Sequence, residues 1–187
     1  MACPVSATPV DFDVYEAHAA KVAYAGGQPS WYVTGQPQPD AYAQIASAGI
    51  QTVISLRLAD ETQPPVDLNE AAELYALNLT YSNLPIAHPM DQGLFDVMAT
   101  MAALGLLYQG GGAPPLVHCS SGDRASAIFA VMLIATELCS AADALAFAQG
   151  SLFLANPAVI ANVQSYSVPA RLAGGARQAG AGLRGTS

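Results

Sequence analysis

Positive charge is what this sequence has least of. Six Lys plus Arg stand against 14 Asp plus Glu in 187 residues, a formal net charge of -8 at pH 7. That balance disfavours nucleic acid and anionic membranes as partners, because both are held through Lys and Arg contacts. Charge of either sign is sparse, at 11% of residues, while 52% are hydrophobic. Such a chain can bury one substantial core and is too short for two ordinary domains. Long apolar runs are also missing. The longest, AIFAVMLIA at 127–135, is about half of what a bilayer crossing needs and is soon followed by Glu137, so it reads as a buried helix. Cysteines are few and show no paired spacing. Cys3, Cys119 and Cys139 make an odd number, which predicts neither a disulfide framework nor a zinc site. MACPVSATPVDFD has no basic stretch followed by an apolar one, so a reducing, cytoplasmic setting is the expectation. No metal or cofactor is expected, and nothing in the sequence sets an oligomeric state.

What is present is an alternation of strand and helix patterns. Residues 1–29, rich in Pro, Ala and Gly, are expected to be an N-terminal extension with a short helix over DFDVYEAHAAKVAYA. WYVTG (31–35) reads as a strand, QPQPDAYAQIASAG as a helix started by Pro39 and Asp40 and stopped by Gly49, and IQTVISL (50–56) as a buried strand. DLNEAAELYALN predicts a second helix, LTYSNLP a strand, IAHPMDQG a loop, and DQGLFDVMATMAALGLLYQ a third helix with apolar residues at helical spacing. After GGGAPP come the strand PLVH and the buried helix, then a helix capped by Ser140 and ending at Gly150, and one more in PAVIANVQSY. The fold class is therefore α/β: a single domain over residues 30–170, with a mostly parallel central sheet flanked by helices on both faces. Residues 171–187 read as a flexible Gly-rich tail. In such sheets ligands collect at the carboxyl ends of the strands. Arg57, the 85–92 loop and Cys119 all fall there.

Between residues 22 and 170 the only Lys or Arg are Arg57 and Arg124. Arg124 belongs to HCSSGDRAS (118–126), a Cys at a strand end, then a Gly, then an Arg opening a helix. Amide groups at a helix N-terminus favour a thiolate and can hold an incoming anion. Gly122 lets the backbone turn toward that anion without a Cβ in the way. The ordinary alternative is a buried strand-end cysteine with no chemistry. Cys139, on an apolar helix, reads as core. Arg57 has two readings, a local ion pair with Asp60 or Glu61 and a second anion contact. His118 reads as a loop-shaping hydrogen-bonding residue.

WYVTGQPQPDAYAQIASAGIQTVISLRLADE, the strand near NLPI and HCSSGDRAS, together spanning about residues 30–150, resemble the beta-lactamase-hydrolase-like phosphatase domain family of the protein tyrosine phosphatase superfamily. The resemblance implies that Cys119 is a nucleophile, Arg124 an anion clamp, and Ser120, Ser121, Gly122, Asp123 and Ala125 the rest of an anion-binding loop. It implies a small anionic or phosphorylated substrate. It also implies a loop Asp that protonates the leaving group. Asp91 stands 28 residues before Cys119, with Asp60 and His88 as competitors, and Asp91 equally suits the N-cap of the following helix. Relatives tend to carry Ser directly after the Arg; here Ala125 intervenes and the hydroxyl of Ser126 is displaced. The Asp123 carboxylate would repel a dianion unless it points outward. Only four residues separate Cys119 from Arg124, one fewer than in most phosphatase loops, which leaves two alternatives. One is a rhodanese-type sulfurtransferase working through a Cys119 persulfide. The other is a catalytically dead anion- or protein-binding module, with Ala125 in the arginine position and Arg124 turned away.

Overall fold

The computed structural model of the chain describes residues 3–16, 18–24, 30–62, 70–87, 113 and 115–166. Its elements in chain order are β1 (Val5–Val10), β2 (Ala19–Tyr24), β3 (Trp31–Thr34), α1 (Ala41–Ser47), β4 (Thr52–Ser55), α2 (Glu70–Ala76), β5 (Thr80–Asn83), β6 (Pro115–His118), α3 (Asp123–Ala135), α4 (Ala141–Ser151) and α5 (Pro157–Ser165). The described strands form one six-stranded sheet in the order β1-β2-β3-β6-β4-β5. The β3–β6, β6–β4 and β4–β5 pairs are parallel, while β1–β2 and β2–β3 are antiparallel.

Side-chain alternation along the central strands divides the core in two. Trp31, Val33, Ile54 and Val117 pack on α3, α4 and α5. Tyr32, Val53 and Leu116 point the other way, onto Tyr42 and Ile45 of α1 and Leu74 of α2. Every residue of α3 from Arg124 to Ala135 is buried, because this helix lies between the sheet and the two helices after it. That position explains the apolar run with no polar face. No helix among the described residues is long and apolar enough to cross a membrane.

The described residues within 11–25 do not form the expected helix. Residues 19–24 are β2, paired along its length with β1 and in part with β3, so the segment expected as an extension contributes two strands to the sheet. Ala19, Ala20 and Val22 are buried there, because sheet packing overrides the helix preference of an Ala-rich stretch. The third helix expected over 91–109 lies outside the described residues.

The cysteine expectation is overturned. Cys3 and Cys139 form a disulfide across 136 residues, with Cα atoms 5.0 Å apart. Cys139 is not in a helix core. It sits half-buried in the turn between α3 and α4, where Glu137 takes the left-handed conformation at φ 56°. Cys3 and the β1 residues Val5 and Ala7 pack on the same cluster as α3, which brings the two thiols together. Spacing along the chain carries no trace of such a long-range meeting.

Closing so long a loop stabilises the fold by about 5 kcal/mol in the chain-entropy view. The Cys3→Ser, Cys139→Ser double variant should accordingly unfold about 2–5 kcal/mol more easily in urea. Unreduced, denatured protein should titrate a single thiol, that of Cys119. Three titratable thiols would contradict the pairing.

Candidate active site

Strand β6 runs between β3 and β4, with His118 in register with Thr34 on one side and Ser55 on the other. Cys119 therefore leaves the sheet at its centre, at the carboxyl ends of three parallel strands. Backbone hydrogen bonds fasten both ends of this exit. Gln36 N–H donates to Ser120 O at 2.8 Å, and Leu56 N–H to His118 O at 2.9 Å. Gly122 then adopts φ +93°, and α3 begins at Asp123. A Cβ at Gly122 would lie 2.9 Å from the Phe153 ring, so both its φ and its surroundings demand glycine. The turn aims the Gly122 N–H at the Cys119 Sγ, 3.2 Å away. Cys119 is the one free cysteine among the described residues and is buried.

Arg124 occupies the first turn of α3, where side chains lean toward the helix N-terminus and so toward the loop. Its Nη1 donates to Leu56 O at 3.2 Å and Ile86 O at 2.7 Å, and also to Glu61 Oε1; its Nη2 donates to Glu61 Oε2 at 2.6 Å. Nε is buried with no partner among the described residues. A guanidinium has five donors. Nε–H and one hydrogen of Nη2 are left, the edge that matches two oxygens of a phosphoryl group. Burial works against the charge on Arg124. Hydrogen bonding to Glu61, with the neighbouring Cys119 and the Glu61 charge, outweighs it and holds the guanidinium above its ordinary pKa.

Glu61 joins the two core cations. Its carboxylate also stands 3.5 Å from Arg57 Nε, and it accepts from Leu58 N–H at 2.9 Å. Burial pushes its pKa up, but the Arg124 hydrogen bond, the Leu58 amide and both arginine charges pull it below the ordinary carboxylate value. Arg57 further donates to Gln36 Oε1 at 3.0 Å and to Glu61 O at 2.9 Å. It is held in a local ion pair.

Behind the loop lies a second buried cluster. Glu70 Oε1 is 3.2 Å from His118 Nε2 and accepts from Gln36 Nε2 at 3.1 Å and from the Tyr42 hydroxyl at 3.2 Å. Burial raises the Glu70 pKa, yet the charge and contact of His118, with the Gln36 and Tyr42 hydrogen bonds, bring it below its usual value. Burial, then Glu70, push the Tyr42 phenol far above its own. His118 Nδ1 stands 3.4 Å from Cys119 O.

The other loop residues face the helical side. Asp123 Oδ1 accepts from Ala155 N–H at 2.6 Å and Asn156 N–H at 2.8 Å, while Oδ2 accepts from the Ser121 hydroxyl at 3.1 Å. Its carboxylate thus ties the loop to the α4–α5 link. The Ser126 hydroxyl accepts from Phe153 N–H at 3.0 Å, and Ala125 is buried in the core. Asp91 and His88 lie outside the described residues. A cavity of about 530 Å³ opens over the loop, with Ser120, Ser121, Asp123 and Arg124 of the loop and Glu16, Asp60 and Glu61 from the neighbouring segments among its lining.

No protein-family model matches this chain, and no curated protein matches it in sequence. Solved structures do. The core catalytic domain of the PP-IP phosphatase SIW14 from S. cerevisiae is 12% identical over 80% of this chain and 87% of that one, with a TM-score of 0.59. TpbA from P. aeruginosa is 21% identical over 81% and 86%, with a TM-score of 0.56. Kinase associated phosphatase, with its catalytic-site cysteine substituted by serine, is 15% identical over 68% and 74%, at 0.54. The chain has the protein tyrosine phosphatase-like fold. In that fold the Cys119 loop lies where β6 meets α3.

Three participants are absent from the sequence motif: Gln36, Glu70, and Glu61 in its bond to Arg124. GQP and LADE flag two of them as segments, but contacts across 63 residues for Arg124–Glu61 and 34 for Gln36–Glu70 leave no local pattern. Both glutamates have depressed pKa values, so their stabilisation is complete above the unfolded value of about 4.3 and is lost as pH falls through the folded values. The urea midpoint should drop on acidification below about pH 4.3. Glu70→Gln should cost about 1–3 kcal/mol at pH 7 and flatten that acid dependence. Parallel pH profiles for wild type and Glu70→Gln would contradict the assignment.

Proposed function

We propose that the chain is a cysteine-dependent phosphatase acting on a phosphate monoester. The observation that carries this reading is the Gly122 N–H on Cys119 Sγ at the start of α3, with the Nε–Nη2 edge of Arg124 left for an oxyanion. The Cys119 thiolate attacks phosphorus as the ester P–O bond breaks. Loop amides and Arg124 hold the equatorial oxygens, and the leaving oxygen takes a proton from an acid, for which Asp91 is the candidate. Water then cleaves the phosphocysteine, releasing phosphate and restoring the thiolate. Two backbone amides, of Ala155 and Asn156, partly offset the Asp123 carboxylate, which also lines the cavity, and so lessen its repulsion of a dianion. The Ser126 oxygen accepts from the Phe153 N–H, which leaves its own hydrogen to be donated elsewhere.

A persulfide carrier remains the second reading, favoured by the four-residue spacing, and a dead binding module the third. Burial of Arg124 beside Cys119 speaks against the module. One neighbour, TpbA, is solved with pTyr bound, which makes an aryl phosphate the first substrate to try. The Cys3–Cys139 disulfide supports an oxidising compartment over the cytoplasmic one expected from cysteine count.

Wild type should hydrolyse p-nitrophenyl phosphate and Cys119→Ser should not. Asp91→Asn should slow esters with poor leaving groups by about 10²–10⁴-fold while sparing those with good ones. Equal loss on both would make Asp91 structural. Uptake of one sulfur atom on Cys119 from thiosulfate, without ester hydrolysis, would favour the sulfurtransferase.

A further inference from the structure

Resting on the phosphatase reading, we infer that the site selects phosphomonoesters flanked by cationic groups and rejects polyphosphorylated ones, with Glu16 a specificity-determining residue at its rim. Charge balance sets this limit. A phosphate monoester brings about 1.5 to 2 negative charges into the cavity. Arg124 answers it, but Arg124 is already bonded to Glu61. Arg57, the other cation near the loop, is bonded to the same carboxylate. Loop amides and the start of α3 add only a partial positive charge of about half a unit. The site is therefore equipped for one phosphoryl group.

A second phosphate would need another Lys or Arg, and among the described residues only Lys21 remains. Lys21, on β2, lies 5.7 Å over the Tyr32 ring and does not line the cavity. The rim offers the reverse, with exposed Glu16 and Asp60 beside half-buried Glu61. Glu16 arrives through the segment between β1 and β2. The neighbouring Tyr15 N–H donates to Gln36 O at 3.0 Å, and Gln36 N–H holds the Cys loop, so the rim is tied to the loop by two hydrogen bonds through one residue. An additional phosphate would meet these carboxylates, whereas a Lys or Arg beside the ester would pair with them. Exposed pairs are individually weak, and selectivity comes from their sum.

Two phosphotyrosine peptides of equal length, one flanked by Lys and one by Glu, test this together with an inositol polyphosphate. Affinity is read on Cys119→Ser and kcat/KM on wild type. Each exchanged charge should be worth about two- to fivefold, so the Lys-flanked peptide should win by about tenfold or more at low salt and by less at high salt. Glu16→Lys should shrink that ratio, lowering affinity for the Lys-flanked peptide and raising it for the Glu-flanked one. Equal binding of both peptides, preference for the Glu-flanked peptide or the inositol polyphosphate, an unchanged ratio in Glu16→Lys, or no binding at all would overturn the inference. Selective binding without hydrolysis by wild type would uphold the rim while rejecting the phosphatase reading.

Discussion

The bond between Arg124 and Glu61 is the constraint on which the site depends. A guanidinium that is 2% exposed has to be compensated by a negative charge and by hydrogen bonds, or its desolvation would oppose folding. Glu61 supplies the charge, and the Leu56 and Ile86 carbonyls supply the rest. Because Glu61 comes from the segment after β4, this pair clamps that segment against the first turn of α3. Arg57 adds the second cation to the same carboxylate. Three side chains thereby fix one another, and the guanidinium keeps one edge for a ligand.

The Cys loop is held from both sides of the sheet. On the α1 and α2 side, Gln36 and His118 share the Glu70 carboxylate, and Gln36 also reaches Arg57. On the α3 side, Asp123 and Ser126 take the amides of residues 153, 155 and 156. A loop so fastened is preorganised. On the proposed phosphatase reading its amides would not need to turn when charge develops on an oxyanion, which is the condition for electrostatic stabilisation to count fully. The tether at Asp123 commits one carboxylate oxygen to the Ala155 and Asn156 amides and the other to the Ser121 hydroxyl.

Local features were legible in the sequence. PLVH followed by a Cys, a Gly and an apolar helix announced the strand, the turn and α3, because each rests on neighbours in the chain. Ser140, whose hydroxyl accepts from Asp143 N–H, and Gly49, at φ +78°, mark their helix ends for the same reason. The N-terminal strands were misread because Ala and Lys favour helix in isolation, and pairing along their length with β1 and in part with β3 makes residues 19–24 a strand. The Cys3–Cys139 bond, the Glu61–Arg124 pair and the Glu70 cluster are long-range meetings decided by topology. A single sequence records their members and not their encounter. Asp91 rests on the family resemblance and its place 28 residues before Cys119, and lies outside the described residues.

The most direct measurement is a crystal structure of the chain with vanadate or phosphate bound. A tetrahedral or bipyramidal oxyanion is expected at Cys119 Sγ, held by loop amides and by Nε and Nη2 of Arg124, with Glu61 still on the opposite edge of the guanidinium. An Arg124 turned away from the oxyanion, or an oxyanion seated elsewhere with the Cys119 loop empty, would contradict the central claim.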